Sequence, residues 1–299
     1  LASYIERVFG LNELRPAWFI EPFAGGASVS LHLLQRGLVE RVILADRDPL
    51  IAAFWATVFD DAGSEWLVDQ VMRMPVTLER WRAFRRRVPQ SIRGRALACL
   101  FLNRTSFSGI LHGRAGPIGG QHQESAYAID CRFPRKTIAR RIREAAAYRK
   151  QVRVWHGSWQ QTLTRIRRLQ DSSRIAGSVC YYLDPPFFEK ADQLYRFCFA
   201  DNDHLALRDA VLKMPEDWIV SYDVAPALRA LWGSAGRQTH IELLYSMPQR
   251  IAREAILSNL ELPGPVSSHP QASARFGEPP VVPWIPVNQR STPRVASRG

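Results

Sequence analysis

Four consecutive residues, Asp184-Pro185-Pro186-Phe187, combine a carboxylate, two rigid rings and an aromatic face. The carboxylate accepts hydrogen bonds from an amine. Each proline fixes its own φ and restricts the residue before it, so the turn is stiff. Phe187 offers a surface for stacking. Together they suit a flat ring that carries an exocyclic amine. In isolation the same tetrapeptide also reads as a strand followed by a proline-rich turn, so the weight must come from elsewhere in the chain. A second cluster is Glu21-Pro22-Phe23-Ala24-Gly25-Gly26-Ala27-Ser28. Gly25 and Gly26 let the backbone approach a ligand closely, and a helix starting near Ser28 presents unpaired N–H groups. It lacks the G-x-G-x-x-G spacing and the lysine of a P-loop, so a simple tight turn explains it equally well on its own. Asp46 follows about twenty residues on, where an open α/β sheet carries the acid that binds ribose hydroxyls. A surface turn acid is the plainer alternative. Turn and acid together favour an adenosine-containing cofactor.

The elements that must hold these residues follow from the apolar pattern. Trp18 to Phe23 reads as a strand entering the glycine turn, and a helical pattern runs from Val29 to Leu34, with Gly37 as its C-cap. Arg41 to Asp46 is a second buried strand ending in an acid, and Pro49 opens a helix through Val58. This βαβα rhythm predicts a parallel sheet with helices on its faces. It stops between Ser64 and Phe101, where two or three helices are expected. A loop from Asn103 through Gly109 to Gly120 follows, then a basic helix over 136–150 opened by Pro134. The rhythm resumes with strands at 152–155, 179–183 and 218–222 and with helices at 160–169, 201–212 and 225–231. Two closing strands, 239–244 and 255–260, form an expected antiparallel pair. From Pro263 the chain is rich in Pro and Ser and reads as a disordered tail.

Composition narrows the class. The 299 residues suffice for one large domain or two ordinary ones, and 46% are hydrophobic, enough for a sizeable core. No apolar run reaches the roughly 18–20 residues of a membrane span, and no secretory signal pattern is visible. The chain opens at Leu1, already inside a helical pattern, so a natural start further upstream is expected. Cys99, Cys131, Cys180 and Cys198 form no C-x-x-C pair, and the seven histidines have no metal-ligand spacing. Reduced thiols, a cytoplasmic location and no metal are expected. The net charge is +12. From Arg80 to Arg168 there are nineteen Arg and two Lys against Glu124, Asp130 and Glu144, an excess of eighteen positive charges. The rest of the chain therefore carries −6. So localised a charge suggests a polyanionic partner.

Three stretches, taken in order, carry a resemblance. Glu21-Pro22-Phe23-Ala24-Gly25-Gly26-Ala27-Ser28-Val29, Phe101-Leu102-Asn103-Arg104-Thr105-Ser106-Phe107-Ser108-Gly109 and Asp184-Pro185-Pro186-Phe187 resemble motifs of the Dam-like N6-adenine DNA methyltransferases. The likeness spans about Trp18 to Leu260. The first and last motifs recur in other methyltransferases, whereas the Asn-Arg-x-x-Phe-x-Gly core of the second is more specific to this family. The resemblance implies a Rossmann-like, S-adenosylmethionine-dependent α/β sheet with an inserted helical subdomain that recognises duplex DNA. The catalytic domain would comprise residues 1–60 and 151–262, the insert 61–150 and the tail 263–299.

What the resemblance implies for individual residues follows position by position. Asp184 and the Pro185 carbonyl would accept the two hydrogens of a flipped adenine's amine, with Pro186 stiffening the corner and Phe187 stacking on the base. Methyl transfer would be direct and in line, resting on positioning and electrostatics. Glu21, Pro22, Phe23, Ala24, Gly25, Gly26, Asp184 and Ser158 would line the cofactor site and Asp46 would bind its ribose. Asn103, Arg104, Ser106, Phe107 and Gly109 would contact DNA near the target. Arg114, Arg135, Lys136 and the basic helix as far as Arg149 would grip phosphates or base edges. The chain departs from the family at Ala27, usually glycine, at Phe187, usually tyrosine, and at Ser158, where an acid is common. A lysine- and glycine-containing family motif would lie upstream of Leu1. The implied role is host protection, alone or beside a restriction enzyme, or genome marking. Methylation of cytosine N4 or of an RNA base is an alternative, although cytosine enzymes more often carry Ser in place of Asp184. A catalytically weakened DNA-binding relative is another.

Overall fold

A computed structural model of the chain describes residues 1–188, 196–245 and 250–264. The first part contains α1 (Ala2–Leu11), β1 (Trp18–Glu21), α2 (Ser28–Gln35), β2 (Arg41–Asp46) and α3 (Pro49–Val58). Four helices follow, α4 (Gly63–Arg73), α5 (Leu78–Arg86), α6 (Ile92–Thr105) and α7 (Arg135–Ala146). Next come β3 (Val152–His156), α8 (Trp159–Asp171), β4 (Val179–Leu183) and α9 (Asp201–Val211). The chain continues through β5 (Asp217–Asp223), α10 (Pro226–Trp232), β6 (Arg237–Tyr245) and β7 (Arg250–Ser258). The tail expected from 263 lies, beyond residue 264, outside the described residues.

Local chemistry accounts for several boundaries. Asp48 caps α3 by accepting from Leu50 N, with Pro49 at the first helical position. Thr77 and Ser91 cap α5 and α6 in the same way. Ser158 and Gln161 form a reciprocal capping box at the start of α8. β1 and β4 are buried along their whole length, as parallel strands covered on both faces must be.

The strands form one mixed sheet in the order β3-β2-β1-β4-β5-β7-β6. The first five run parallel, and β7 is antiparallel to both β5 and β6. Alternate residues feed two cores. Phe19, Val42, Leu44, Cys180 and Tyr182 face a core shared with helices α1 to α7. Trp18, Ile20, Ile43, Tyr181 and Leu183 face the opposite core, built with α8, α9 and α10. The result is an α/β architecture compatible with a Rossmann-like fold. Helices α4 to α7, expected as an insert, join the first core through Leu67, Trp81, Phe101 and Ile142.

Two sequence expectations change in detail. Asn103, Arg104 and Thr105 belong to the last turn of α6 rather than to a loop, and the loop begins at Ser106. The closing strands pair antiparallel as expected, but β7 lies between β5 and β6. The chain must therefore cross to the far edge and return. One further feature places the site. The connections from β1 through β2 to β3 run one way across the sheet, and those from β4 to β5 run the other. The order reverses between β1 and β4, which opens a crevice at their carboxyl ends.

Candidate functional site

Glu21, the last residue of β1, stands at one wall of this crevice. It is 3% exposed and accepts a hydrogen bond from the Ser30 hydroxyl on α2. Burial pushes its carboxyl up to about 8, and the neighbouring Asp184 and Asp46 charges push the same way. The glycine turn that follows is held from two sides. Ala24 N donates to Ala45 O at 2.9 Å, and the Trp55 indole N–H donates to Gly25 O at 2.9 Å. Gly25 has a φ of +43°, which a side chain would resist. Ala27 has a φ of +47° despite its Cβ, the geometry that makes glycine the easier residue there.

The turn and the expected ribose acid are joined directly. Asp46 Oδ2 accepts from Gly25 N at 2.9 Å, and Oδ1 accepts from Asp48 N at 2.8 Å. Each oxygen keeps acceptor capacity for a ligand hydroxyl. Desolvation raises the Asp46 carboxyl to about 7 against the pull of those two N–H groups, and the Asp48 charge adds to the rise.

Asp184 forms the opposite wall. β4 and β5 pair Leu183 with Val220, so Asp184 lies beside Ser221. The Ser221 hydroxyl donates to Asp184 Oδ1 at 2.7 Å, and Tyr182 Oη lies 2.8 Å from Ser221 Oγ. Burial moves the Asp184 carboxyl up to about 6, opposed by the Ser221 hydrogen bond and assisted by the Asp223 charge. Pro185 and Pro186 are buried and Phe187 is half-buried. The next residue escaped the sequence reading. The Phe188 ring stacks on His204 at 4.1 Å and on Tyr222 at 5.0 Å, and its N–H donates to Asp223 Oδ1 at 3.2 Å. Phe188 thus anchors the corner in the core, directly after the half-buried Phe187. The doubled phenylalanine was the available signal.

Residues 196–200 also reach the crevice. Arg196 bridges to Asp48 at 2.9 Å, Arg47 sits over the Phe197 ring at 5.1 Å, and Phe199 meets Phe23 edge-on at 5.7 Å. Asp48 is buried, which raises its carboxyl, and Arg196 opposes that rise. Neither Asp48 nor Arg196 carries a motif that sequence reasoning could have used.

The expected cofactor residue Ser158 has a local task. Its hydroxyl accepts from Gln161 N at 3.3 Å, and its own N–H donates to Gln161 Oε1 at 2.8 Å, so it caps α8. Beside it an open groove of about 620 Å³ is lined by residues including Trp155, His156, Gly157, Gln161 and Arg165. Gly157 N donates to Asp46 O at 3.0 Å, so the groove borders the same acid.

The residues expected to contact a polyanion divide sharply. Asn103, Ser106 and Gly109 are buried, and Asn103 Nδ2 donates to Gly109 O at 2.9 Å. Burial removes these three from the surface and makes them supports of the loop. Ser106 Oγ also accepts from the Trp81 indole at 3.0 Å. Arg85, which the sequence did not single out, is the hub. It donates to the carbonyls of Ile110, Leu111, His112 and Ala115 and to Ser106 Oγ, over 2.7 to 3.4 Å. Arg104 donates to Arg132 O at 2.7 Å and is largely desolvated, which lowers its guanidinium to about 10. Phe107 and Arg114 are exposed.

The α7 helix is less available than its charge suggested. Arg135 donates to Val71 O at 2.5 Å, Arg143 pairs with Glu65 at 2.8 Å, and Arg140 and Arg149 pair with Glu144 and Asp61. Acids just before and within the basic segment offset part of the charge on this face. Lys136 is exposed, as are Arg82, Arg86 and Arg87 on or just after α5. Among the described residues no helix is long and apolar enough to cross a membrane, and no three His, Cys, Asp or Glu side chains are grouped to hold a metal.

No protein-family model matches this chain, and no curated protein was found to match it.

Proposed function

We propose that this chain is an S-adenosylmethionine-dependent DNA methyltransferase acting on the N6 amine of adenine, of the Dam-like kind its three motifs resemble. The observation that carries the reading is the meeting of two motifs far apart in sequence. The turn after β1 and the Asp184 corner after β4 flank the point between β1 and β4 where the order of the parallel strands reverses. Asp46 is hydrogen-bonded into the same turn.

The residues present fit the cofactor. Glu21, Asp46 and Asp184 form a desolvated acidic crevice whose raised proton affinities favour a cationic ligand, and S-adenosylmethionine carries a sulfonium and an ammonium. Asp46 would hold ribose hydroxyls through its remaining acceptor sites, and the turn over 22–26 would line the bound molecule. When bound, the cofactor supplies an electrophilic methyl group.

The chain's own residues do the rest. Asp184 and the Pro185 carbonyl accept the amine hydrogens and draw the nitrogen toward a pyramidal form. Phe187 stacks on the extruded base. Asp184 needs no strong basicity, because proton loss follows the development of positive charge on nitrogen. Phe107, Arg114, Lys136 and the exposed arginines of α5 are the side chains placed to meet duplex DNA, on a loop shaped by Arg85.

The test is incubation of the full chain with duplex DNA and S-adenosylmethionine, followed by nucleoside mass spectrometry. N6-methyladenine in the parent and at least a hundredfold less with Asp184→Ala is expected. Product found only as N4-methylcytosine or in RNA would overturn the base assignment. Tight DNA binding without cofactor binding would overturn catalysis altogether.

A further inference from the structure

We infer that Ser221 is a positioning residue for Asp184, orienting its carboxylate through a hydroxyl relay that begins at Tyr182. The inference rests on the methyl-transfer reading of the site. Three groups on two adjacent strands form an unbroken line. Tyr182 Oη lies 2.8 Å from Ser221 Oγ, and Ser221 Oγ lies 2.7 Å from Asp184 Oδ1. A serine hydroxyl has one proton. Ser221 gives it to Asp184, so its oxygen accepts from the Tyr182 hydroxyl.

The direction of the relay is therefore set. Ser221 is wholly buried and Tyr182 is 1% exposed, so water does not replace either group. Tying one carboxylate oxygen fixes the plane of the group and directs the second oxygen to an incoming amine. This is positioning through a supporting shell, where a small misplacement is costly.

The surroundings give the relay a second consequence. Asp184 is faced by Glu21 from β1 and by Asp223 and Tyr222 from β5. Glu254 of β7 reaches Tyr182 electrostatically. All of these are acids or phenols, and none offers a positive charge. Among the described residues, Ser221 is the hydrogen-bond donor that favours the ionised, accepting form of Asp184. Removing it misaligns the carboxylate and raises its proton affinity together.

Single-turnover methyl transfer by the full chain, followed from pH 5.5 to 9, tests this with cofactor affinity measured in parallel. Ser221→Ala should slow transfer about ten- to a hundredfold, the range expected for losing a hydrogen bond to a charged group. It should also move the acidic limb of the profile upward by about one pH unit, with cofactor affinity changed less than about threefold. Tyr182→Phe should shift the limb the same way by less, and Ser221→Thr should restore most of the rate. Circular dichroism establishes that each variant is folded. An active parent whose Ser221→Ala variant keeps both rate and acidic limb would overturn the inference alone. A parent that binds no cofactor and transfers no methyl group would instead overturn the functional reading, and the inference with it.

Discussion

Glu21→Gln makes a demanding test of the crevice, because it should stabilise the protein while weakening its proposed function. The Glu21 carboxyl has an ordinary value of 4.5 and is raised to about 8 in the fold. The folded state therefore holds a proton that the unfolded chain gives up. The sign is that of a raised acid. Its contribution is fully favourable below pH 4.5 and is lost as pH rises from there through about 8. At 1.36 kcal/mol per pH unit, the loss is about 1 kcal/mol at pH 5 and about 3 kcal/mol at pH 7. Glutamine is close in shape, carries no charge, and still accepts from the Ser30 hydroxyl. It should therefore leave stability nearly unchanged at pH 4.5 and raise it by about 2–3 kcal/mol at pH 7. Urea unfolding of parent and variant at both pH values measures this difference directly. In the same samples the variant should bind S-adenosylmethionine more weakly, since a bound cation draws the parent Glu21 into its ionised form. A variant no more stable than the parent at pH 7 would refute the buried, proton-holding Glu21. Unchanged cofactor binding would refute its place at the ligand.

Two further substitutions probe the supports of the site. Gly25→Ala should cost about 1–2 kcal/mol in urea unfolding, because φ at +43° is left-handed while the new Cβ meets nothing closer than Phe23 O at 3.9 Å; an unchanged midpoint would mean the turn is not strained. Arg85→Met should cost about 3 kcal/mol, leaving several loop carbonyls without their donor. Faster hydrogen exchange over residues 106–118 and weaker DNA binding should accompany that loss, and a loop that stays protected would refute Arg85 as its hub.

Much of this fold was legible because parallel strands leave a simple trace. β1, β2 and β4 are largely apolar runs, of which β1 and β2 end in an acid and β4 is followed at once by one. Glu21, Asp46 and Asp184 could thus be placed near strand ends, although sequence spacing alone said nothing about their sharing one crevice. That required the strand order, in which β4 returns beside β1 after the whole segment carrying α4 to α7. Ser221 was not legible, since a serine inside an apolar strand looks like a tolerated core hydroxyl until its partner is known. The α7 arginines misled for a related reason. Their charge is visible in sequence, but the pairing of Arg143 with Glu65 and of Arg149 with Asp61 joins residues nearly eighty positions apart or more. Asn103 and Ser106 are expected as DNA contacts only because they fall in the Asn-Arg-x-x-Phe-x-Gly stretch that carries the resemblance. Burial shows that polar residues can equally be the scaffold of a loop.

The opposition between an acidic crevice and a basic surface on one chain has a physical resolution under the proposed reading. Three ionised carboxylates at the crevice would repel phosphates approaching the same region. Burial limits that charge. With Glu21 held at about 8 and Asp46 at about 7, the crevice at neutral pH carries well under its formal −3. A cationic cofactor reverses the balance locally, stabilising the ionised carboxylates while supplying the compensating positive charge. The bound cation offsets part of that added negative charge, so the crevice stays below its formal −3 toward DNA in both states. Long-range attraction draws on the exposed arginines of α5 and on Arg114 and Lys136, whereas Arg140 and Arg143 of α7, and Arg149 just after it, are paired with acids. The +12 net charge therefore overstates the charge on α7 that is available to meet DNA.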